Sequence, residues 1–559
     1  MISEFLSQYA SLFRVDKLSV FVGIFIGLFS LLTIIYSIGY MGKRKGLLRY
    51  YTCIILTFAA SLGVVFSNNL ILFIVFWGFL GLLLYLLINF GKGKRTSYTA
   101  KKAFIIIGGT DALMLLGLAL IWHNAGSLQM SEILIPFNTK SAIIAFLCLA
   151  AGAFAKAGAM PFHTWVPDTA EDAPVPVTAF LPASLDKLLG IYFLMRICLE
   201  MFAMNTGMNT VLMALGSLTI IAAVMMALVQ HDLKRLLGYH AVSQVGYMVL
   251  GIGTGTLIGI AGGLFHMLNN AIYKSCLFFC AGAVEKKAGT TDLDNLGGLA
   301  KVMPVTFITF LIASFSISGV PPFNGFVSKW MIYQGIINTA GEGKWLWIVW
   351  LVAAMFGSAL TLASFMKLLH AVFLGQPSKK LSGAGWAEKI SPWMLLPQVC
   401  LAVLCIVFGV WAYKVPLALF ILPSLQQAYI YFPGIWNANL ASVLLIVGVL
   451  IGLMIYLLGT ALKTREADAF LGGEGEDEKK HPEMRVSGTE FYNTISDIGF
   501  LKKMYKMAEK KSFDIYDVGT RLTFTFSSML RYIHNGILSS YLSWCLFGML
   551  VLFYFLILR

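Results

Sequence analysis

Long apolar runs recur along almost the whole chain, between residues 18 and 558. A helix needs about 20 apolar residues to cross a hydrocarbon core roughly 30 Å thick, and about fourteen runs suit that task. Inside a bilayer every backbone polar group needs an internal partner, which helices and closed barrels supply. Because 58% of the 559 residues are hydrophobic and 12% are charged, little room is left for a large soluble domain. The sequence predicts an all-α polytopic membrane protein with about 14 transmembrane helices.

The first predicted span follows Asp16 and Lys17 without a basic leader and a small-residue cleavage site, so we expect a retained helix rather than a signal peptide. Basic residues, among them Lys101 and Lys102, fall mainly in every second loop. This alternation accounts for the net charge of +14 without a nucleic-acid partner, and it predicts an N-terminus outside. The predicted spans cover residues 18–40, 51–67, 69–90, 102–122, 141–160, 175–198, 209–229, 236–257, 259–284, 304–339, 347–374, 394–412, 439–462 and 538–558.

Prolines interrupt two of these spans. The fifth ends in FAKAGAMPFHTW, with Pro161, and the tenth contains SISGVPPFNGFVSK, with Pro321 and Pro322. Proline removes a backbone hydrogen bond, so the freed carbonyls must face protein or water. Lys156 precedes the first break and Lys329 follows the second. Interrupted helices at corresponding places in two halves are typical of inverted-repeat transporters, so we expect two inverted five-helix repeats.

This pattern divides the chain into successive segments. We predict N-terminal helices and the start of the first repeat at 1–122, the rest of that repeat at 123–208 and the second repeat at 209–375. Additional helices follow at 376–470, an acidic cytoplasmic linker at 471–490, a lateral amphipathic helix at 491–536 and a final transmembrane helix at 537–559. The lateral helix sets apolar residues against a row of lysines, which predicts that it lies along the protein or membrane surface.

Ionisable residues inside the spans require a functional or structural explanation, since a charge at the bilayer centre costs roughly 2.5–3.5 kcal/mol on insertion scales. Lysine and histidine suit a proton relay, because small changes in a neighbouring charge load or empty them. His266, Asn270 and Lys274 recur every fourth residue and therefore line one helix face. The predicted ion-translocation residues are the ionisable side chains of the spans, namely Asp111, Lys156, Asp186, Lys187, Lys234, His240, His266, Lys274, Lys329 and Lys367.

Structural alternatives remain for some features. Lys234 lies at a span edge, where snorkelling explains it as well as function does, and Lys367 and its neighbour His370 have a structural alternative too. The glycine-rich stretch at 251–259 lies inside an apolar span, which favours helix packing over nucleotide binding. The eight cysteines all fall in apolar runs without a CxxC pair, so the sequence predicts no metal or redox centre in this chain.

Several motifs together resemble the antiporter-like membrane subunits of respiratory complex I, Mrp antiporters and group 4 membrane-bound [NiFe] hydrogenases. They are FRVDKLSVF, AKAGAMPFHTWVPD, HDLKRLLGYHAVSQVGYM, FHMLNNAIYKSCLFFCAGAV, LGGLAKVMP and SGVPPFNGFVSKW. The C-terminal stretches FLGGEGEDEKKHPEMRVSGTEFYNTI, FDIYDVG and LRYIHNGILSSYLSW are most similar to the energy-converting hydrogenase branch.

The resemblance implies a proton- or sodium-translocating membrane-arm subunit of a redox-driven pump in the plasma membrane of a prokaryote. Its implied partners are other membrane-arm subunits and a ferredoxin-linked peripheral arm. The [NiFe] and iron–sulfur clusters would belong to those partners, and no cofactor to this subunit. Two alternatives stay open: an Mrp-type or stand-alone cation/proton antiporter subunit, and a degenerate scaffold subunit.

The resemblance also implies roles for single residues. Lys156 matches the lysine of the first broken helix, His266 and Lys274 match the central pair, and Lys329 matches the terminal lysine. Asp111 matches an aspartate of the first half.

The chain departs from the family pattern mainly in its first half. Gly78 replaces the glutamate that pairs with the first lysine, Pro182 replaces a histidine, and Lys187 matches the next lysine one residue early. Lys156 therefore lacks its usual partner unless Asp111 or Asp186 replaces it. We expect the second half to be the more complete channel.

Overall fold

The computed structural model describes residues 11–42, 44–342, 345–376, 390–432, 438–458, 492 and 497–557. They belong to two compact units, Met1–Ser496 and Asp497–Arg559. The described part of the chain is helical apart from isolated bridges and a two-residue parallel pair, β1 (Ile135–Pro136) and β2 (Phe202–Ala203). The predicted all-α membrane fold is confirmed.

The first repeat contains long helices and one break. The chain runs through α1 (Lys17–Met41), α2 (Leu47–Phe66), α3 (Leu70–Ile88), α4 (Thr96–Ala125) and α5 (Lys140–Ala157), and after the first break through α6 (Trp165–Asp172). The next span has three parts, which are α7 (Val175–Phe180), a π-helical turn (Leu181–Leu185) and α8 (Asp186–Arg196).

The region predicted as the second repeat, 209–375, also contains one break. Its helices are α9 (Thr206–Leu228), α10 (Leu233–Gly253), α11 (Leu257–Ala288), α12 (Pro304–Ser318), α13 (Asn324–Asn338) and α14 (Leu346–Leu368), and the second break separates α12 from α13. The helices α15 (Pro392–Val410) and α16 (Ala438–Leu458) come after it, with the helical segment Tyr413–Ser424 between them.

Ten helices of the described ranges are long and apolar enough to cross a membrane. Shorter apolar helices include α12 and part of α16, so the prediction of about fourteen spans stays a prediction. Helices α10 and α11 have the length of a span but carry buried lysine and histidine, which lower their hydropathy.

Helix α11 is buried along most of its length in the first unit. Every residue from 261 to 284 is buried, and glycines bring neighbouring backbones against it. A Cβ at Gly262 would lie 2.9 Å from the backbone nitrogen of Ile332 in α13, and one at Gly263 would lie 2.9 Å from the carbonyl oxygen of Met248 in α10. A Cβ at Gly251 would lie 2.8 Å from the Gly259 carbonyl oxygen. These approaches agree with the packing role predicted for residues 251–259.

Charged residues tie the first repeat together where α1 begins. Arg196 Nη1 lies 2.7 Å from Asp16 and 2.5 Å from Glu200, and Arg14 lies 2.8 Å from Glu200. Burial alone would raise the pKa of Asp16, but the hydrogen bond and charge of Arg196 outweigh it and lower this pKa to about 2. Asp16 is therefore ionised at neutral pH and joins the start of α1 to the end of α8.

A second ion-pair cluster holds α6 at the opposite end of the repeat. Lys102 of α4 lies 2.7 Å from Asp168 of α6, and Arg235 of α10 lies 2.9 Å from Asp168 and 2.6 Å from Glu171. Both members of the Lys102–Asp168 pair are buried. The sequence placed Lys102 with the basic loop residues, but the structure buries it, because α6 folds over it and supplies Asp168 as its partner. The cluster clamps the segment after the first break to both repeats.

The second unit contains α17 (Gly499–Glu509), α18 (Ile515–Ile533) and α19 (Leu538–Ile557). The structure has two amphipathic helices where the sequence predicted one lateral helix over 491–536. The chain turns at Lys511, whose φ is 56°, and Asp514 caps α18 by accepting the Tyr516 N–H at 3.0 Å. Helix α19 is long and apolar enough to be the predicted final span. The predicted acidic linker at 471–490 lies outside the described residues.

Candidate functional site

Lys156 lies in the last turn of α5, fully buried, just before the first break. Its Nζ donates to the Trp77 carbonyl oxygen at 3.4 Å and lies 5.0 Å from the centre of the Trp77 ring. The indole N–H of Trp77 donates to Asp111 at 3.0 Å, so tryptophan links the lysine to this carboxylate. The charges of Asp186 and Asp111 both act on Lys156. At Gly78 an added Cβ would meet nothing within 4 Å, so the site of the missing glutamate is open space.

The π-helical turn before α8 brings Asp186 and Lys187 to the first break. Pro182 in this turn lacks an N–H, and the Ser184 hydroxyl donates to the carbonyl oxygens of Ala179 and Phe180 at 2.9 and 2.7 Å. Lys187 Nζ donates to the carbonyl oxygen of Ala157, the last residue of α5. The carbonyl freed by the first break is therefore satisfied by Lys187, not by Lys156.

Helix α11 carries the polar row from the first half into the second. The amide of Asn270 donates to the Ala183 carbonyl oxygen in the π-helical turn at 3.3 Å. One turn further on, Lys274 Nζ donates to the Leu237 carbonyl oxygen at 2.9 Å and lies 5.7 Å from the Phe365 ring centre. Both side chains are fully buried. The face predicted from the four-residue spacing thus touches both halves.

His240 and His266 occupy the interior of the second half. His240 Nε2 lies 2.7 Å from the Ser364 hydroxyl, and its ring centre lies 4.9 Å from that of Phe365. His266 is held on both sides, because its Nδ1 lies 2.9 Å from Ser328 Oγ and its Nε2 lies 3.1 Å from Gln244 Oε1. Ser328 immediately precedes Lys329, so His266 connects α11 to the second break.

Lys329 lies just after the second break and takes its free carbonyl. Its Nζ donates to the Ile317 carbonyl oxygen at 2.8 Å and lies 4.7 Å from the Tyr247 ring centre. The Tyr247 and Tyr333 hydroxyls both lie within hydrogen-bond distance of Ser358, at 2.8 and 2.6 Å. A cavity of about 390 Å³ opens beside the lysine, lined by Ser318, Gly319, Phe326, Lys329, Trp330, Tyr333, Met355 and Ser358.

The remaining predicted residues lie nearer the ends of helices. Lys234 is 2.9 Å from Glu285, which also accepts the Tyr40 hydroxyl at 2.8 Å, so Lys234 is ion-paired rather than snorkelling. Lys367 donates to the carbonyl oxygens of Leu228 and Gln230 at 2.8 and 3.2 Å, where it caps the end of α9. His370 lies in the turn that follows α14.

Two elements of this arrangement escaped the sequence. The first is the contact of Lys187 with the first break. Pro182, inside an otherwise helical run, is the available indication of a helix defect there. The second is the buried Lys102–Asp168–Arg235 cluster, whose members lie 66 and 67 residues apart along the chain. Among the described residues, no group of three or more His, Cys, Asp or Glu side chains is arranged to hold a metal ion.

Two broken helices, together with buried lysines and histidines, define the class of antiporter-like membrane subunits. The family described as "NADH:quinone oxidoreductase/Mrp antiporter, TM" matches residues 67–361, and the family described as "NADH-Ubiquinone oxidoreductase (complex I), chain 5 N-terminus" matches residues 9–51. The chain belongs to the NADH:quinone oxidoreductase/Mrp antiporter family. The resemblance to the complex I and Mrp superfamily is confirmed.

The alignments with curated relatives cover most of this chain but only about half of each relative. Na(+)/H(+) antiporter subunit A1 of Staphylococcus haemolyticus (strain JCSC1435) is 33% identical over 431 residues, which cover 71% of this chain and 52% of the relative. Its namesake in Staphylococcus saprophyticus subsp. saprophyticus is 32% identical over 411 residues, covering 68% and 50%. The chain therefore spans about half the length of the curated relatives it matches.

Two solved structures share the fold. A chain in the Mrp complex from Dietzia sp. DQ12-45-1b has a TM-score of 0.74 and 23% identity, with 97% of this chain and 55% of that chain covered. A chain of the membrane-bound sulfane sulfur reductase, an archaeal respiratory membrane complex, has a TM-score of 0.78 and 23% identity, with 97% and 89% covered. At this identity the likeness is one of fold.

Proposed function

We propose that this chain is an ion-translocating subunit of a multi-subunit membrane complex and that its polar row carries protons. The observation that carries the proposal is the burial of this series of ionisable and polar side chains between the two breaks. Lys187 and Lys329 each bind the carbonyl freed at one break, and Asn270, Lys274 and His266 fill the space between them. Buried charges in a bilayer are costly, so a connected series of them is best explained by transport.

The contacts suggest how the row conducts. A protonated lysine makes a charge-assisted hydrogen bond to its carbonyl, and loss of the proton weakens that bond and frees the side chain to turn. Like charges repel strongly where water is excluded, and the lysines and histidines of the row are buried. Loading one group therefore favours emptying the next, which moves charge along the row without a redox centre in this chain.

The proposal extends to the assembly. We propose other membrane-arm subunits and a peripheral redox arm as partners, with any [NiFe] or iron–sulfur clusters in those partners, in the plasma membrane of a prokaryote. In support, the fold covers 89% of a chain from a respiratory membrane complex. The second candidate, an Mrp-type sodium/proton antiporter subunit, is favoured by the names of the curated relatives.

Transport by the intact complex in proteoliposomes tests the first proposal. We expect Lys274→Ala and Lys329→Ala to abolish ion movement, because each removes a charged link of the row. Lys140→Ala, at an exposed lysine at the start of α5, is the matched control and should transport normally. Normal transport by both buried variants would refute the relay.

Composition of the purified complex separates the two assemblies. Iron and nickel that copurify, together with transport driven by an electron donor, would support the redox-driven pump. Transport driven by an ion gradient alone in a complex without these metals would support the antiporter.

A further inference from the structure

Helix α8 lies unusually close to the end of α5, and this contact determines what surrounds Lys156. A Cβ at Gly190 would lie 2.6 Å from the backbone nitrogen of Ala157 and 2.8 Å from the Ala153 carbonyl oxygen. Only glycine allows such an approach between two helix backbones. Residues four apart share a helix face, so Asp186, one turn before Gly190, is directed to the same part of α5.

The Asp186 carboxylate is buried without enough hydrogen-bond donors of its own. Its side chain is 1% exposed, and its Oδ2 has no hydrogen-bond donor among the described residues. A buried carboxylate is costly unless neighbouring positive charges balance it. Lys187 is the next residue, and Lys156 directly precedes Ala157, against which Gly190 packs. Two buried lysines therefore lie near the carboxylate, and each donates its hydrogen bond to a backbone carbonyl oxygen instead.

Asp111, the other carboxylate near Lys156, is placed differently. It is only half-buried, and one of its oxygens already accepts the Trp77 N–H at 3.0 Å. Its greater exposure lets solvent and lipid headgroups screen its charge more than that of the fully buried Asp186. The space at Gly78 offers no carboxylate at all. Asp186 is therefore the stronger negative charge available to Lys156.

We propose that Asp186 is a counter-ion shared by Lys156 and Lys187 and that protons pass between these two lysines under its charge. The inference rests on the proposed function and specifies its first half. In each transfer a proton leaves Nζ of one lysine and binds Nζ of the other, while the carboxylate stays ionised. The total charge of the three groups is unchanged, so transfer requires no ion from outside.

Variants of the intact complex test the shared counter-ion. We expect Asp186→Asn to slow ion movement by at least about tenfold, because two buried lysines lose their common negative charge. Glu132→Gln, at an exposed carboxylate outside the polar row, is the control and should change the rate by less than about threefold. Equal rates for wild type and Asp186→Asn, or a larger loss for Asp111→Asn, would overturn the proposal.

Rescue separates the counter-ion from a merely structural role. Gly78→Glu combined with Asp186→Asn supplies a carboxylate from the other side of Lys156, and this variant should recover most of the lost rate, as should Asp186→Glu. Recovery by neither variant would overturn the proposal, including in the case that Asp186→Asn fails to assemble.

A double-mutant cycle gives a further readout. Lys156→Met added to Asp186→Asn should cost no more than the larger single loss, whereas independent losses that multiply would contradict the pairing. Lys329→Ala distinguishes the two levels of failure. If it is inactive while Asp186→Asn is normal, only the counter-ion is wrong. If it is also normal, the proposed function itself fails.

Discussion

The two breaks pose the same backbone problem, and the protein solves it with lysines of different origin. At the second break Lys329 comes from the helix that follows the gap and binds Ile317 of the helix before it. At the first break the ligand to Ala157 is Lys187, which comes from a separate span, while Lys156 beside the gap rests on Trp77. Two lysines therefore lie at the first break and one at the second. The charges at the first break come in balanced groups with Asp186 and Asp111, whereas Lys329 is surrounded by serine, tyrosine and histidine.

The comparison predicts that the halves differ in how much a single lysine matters. We expect Lys329→Met to reduce ion movement by at least about a hundredfold, since loss of one partner from a buried charged contact costs roughly 3–5 kcal/mol. Lys156→Met should reduce it less, because Lys187 still occupies the first break. Flux measured in proteoliposomes with both variants side by side checks this, and equal losses would show that the breaks are equivalent.

The breaks are also held differently. Ion pairs among Lys102, Asp168 and Arg235 clamp the segment after the first break, whereas at the second break the Asn269 amide donates to the Asn324 carbonyl oxygen at 2.9 Å. We expect Asp168→Asn to lower the free energy of unfolding by about 3 kcal/mol, because it leaves Lys102 buried without its charge partner.

Asn269→Ala should cost only about 1 kcal/mol, the usual net value of a neutral hydrogen bond. Thermal unfolding of both variants in the same detergent measures the difference. A larger loss for Asn269→Ala would mean that the second break is the more tightly held.

A smaller effect is expected from the hydroxyls beside each relay. Ser328 lies 2.9 Å from His266 and links it to the second break, so Ser328→Ala should slow transport by about three- to tenfold. Ser184 donates to carbonyls of its own helix, so Ser184→Ala serves as the first-half control and should leave the rate nearly unchanged. The comparison of the halves would need revision if Ser184→Ala were the slower variant.

The smallest effect is expected when a carboxylate is added where the family has one. Gly78→Glu in the otherwise unchanged chain should alter transport by less than about twofold, because Asp186 already balances Lys156. Rates in proteoliposomes check this directly. A large gain would show that the first half is incomplete as it stands. No change, combined with normal transport by Lys329→Ala, would favour the scaffold alternative.

Hydropathy and proline patterns were sufficient to predict the spans, the two breaks and the lysines beside them, because these features depend on local sequence. The partners of those lysines depend on packing between distant segments. Lys187 reaches Ala157 thirty residues away only because the π-helical turn shifts the start of α8. Lys102 is buried only because Asp168 and α6 fold back over it. The turn at Lys511 likewise depends on a left-handed backbone conformation that lysine rarely adopts.

The close packing of helix α11 limits which conformational changes this protein can undergo. Its buried stretch is in backbone contact with α10 and α13, and its Asn270 side chain binds the π-helical turn before α8, so these neighbours cannot tilt against it without opening a closely packed interface. Transporters that rock one helix bundle against another need an interface that can rearrange, whereas the interfaces around α11 are closely packed. What remains free to move is the reach of individual lysine side chains. Ion movement through this subunit would then depend on side-chain rearrangements within a rigid helix bundle rather than on rotation of one bundle against another.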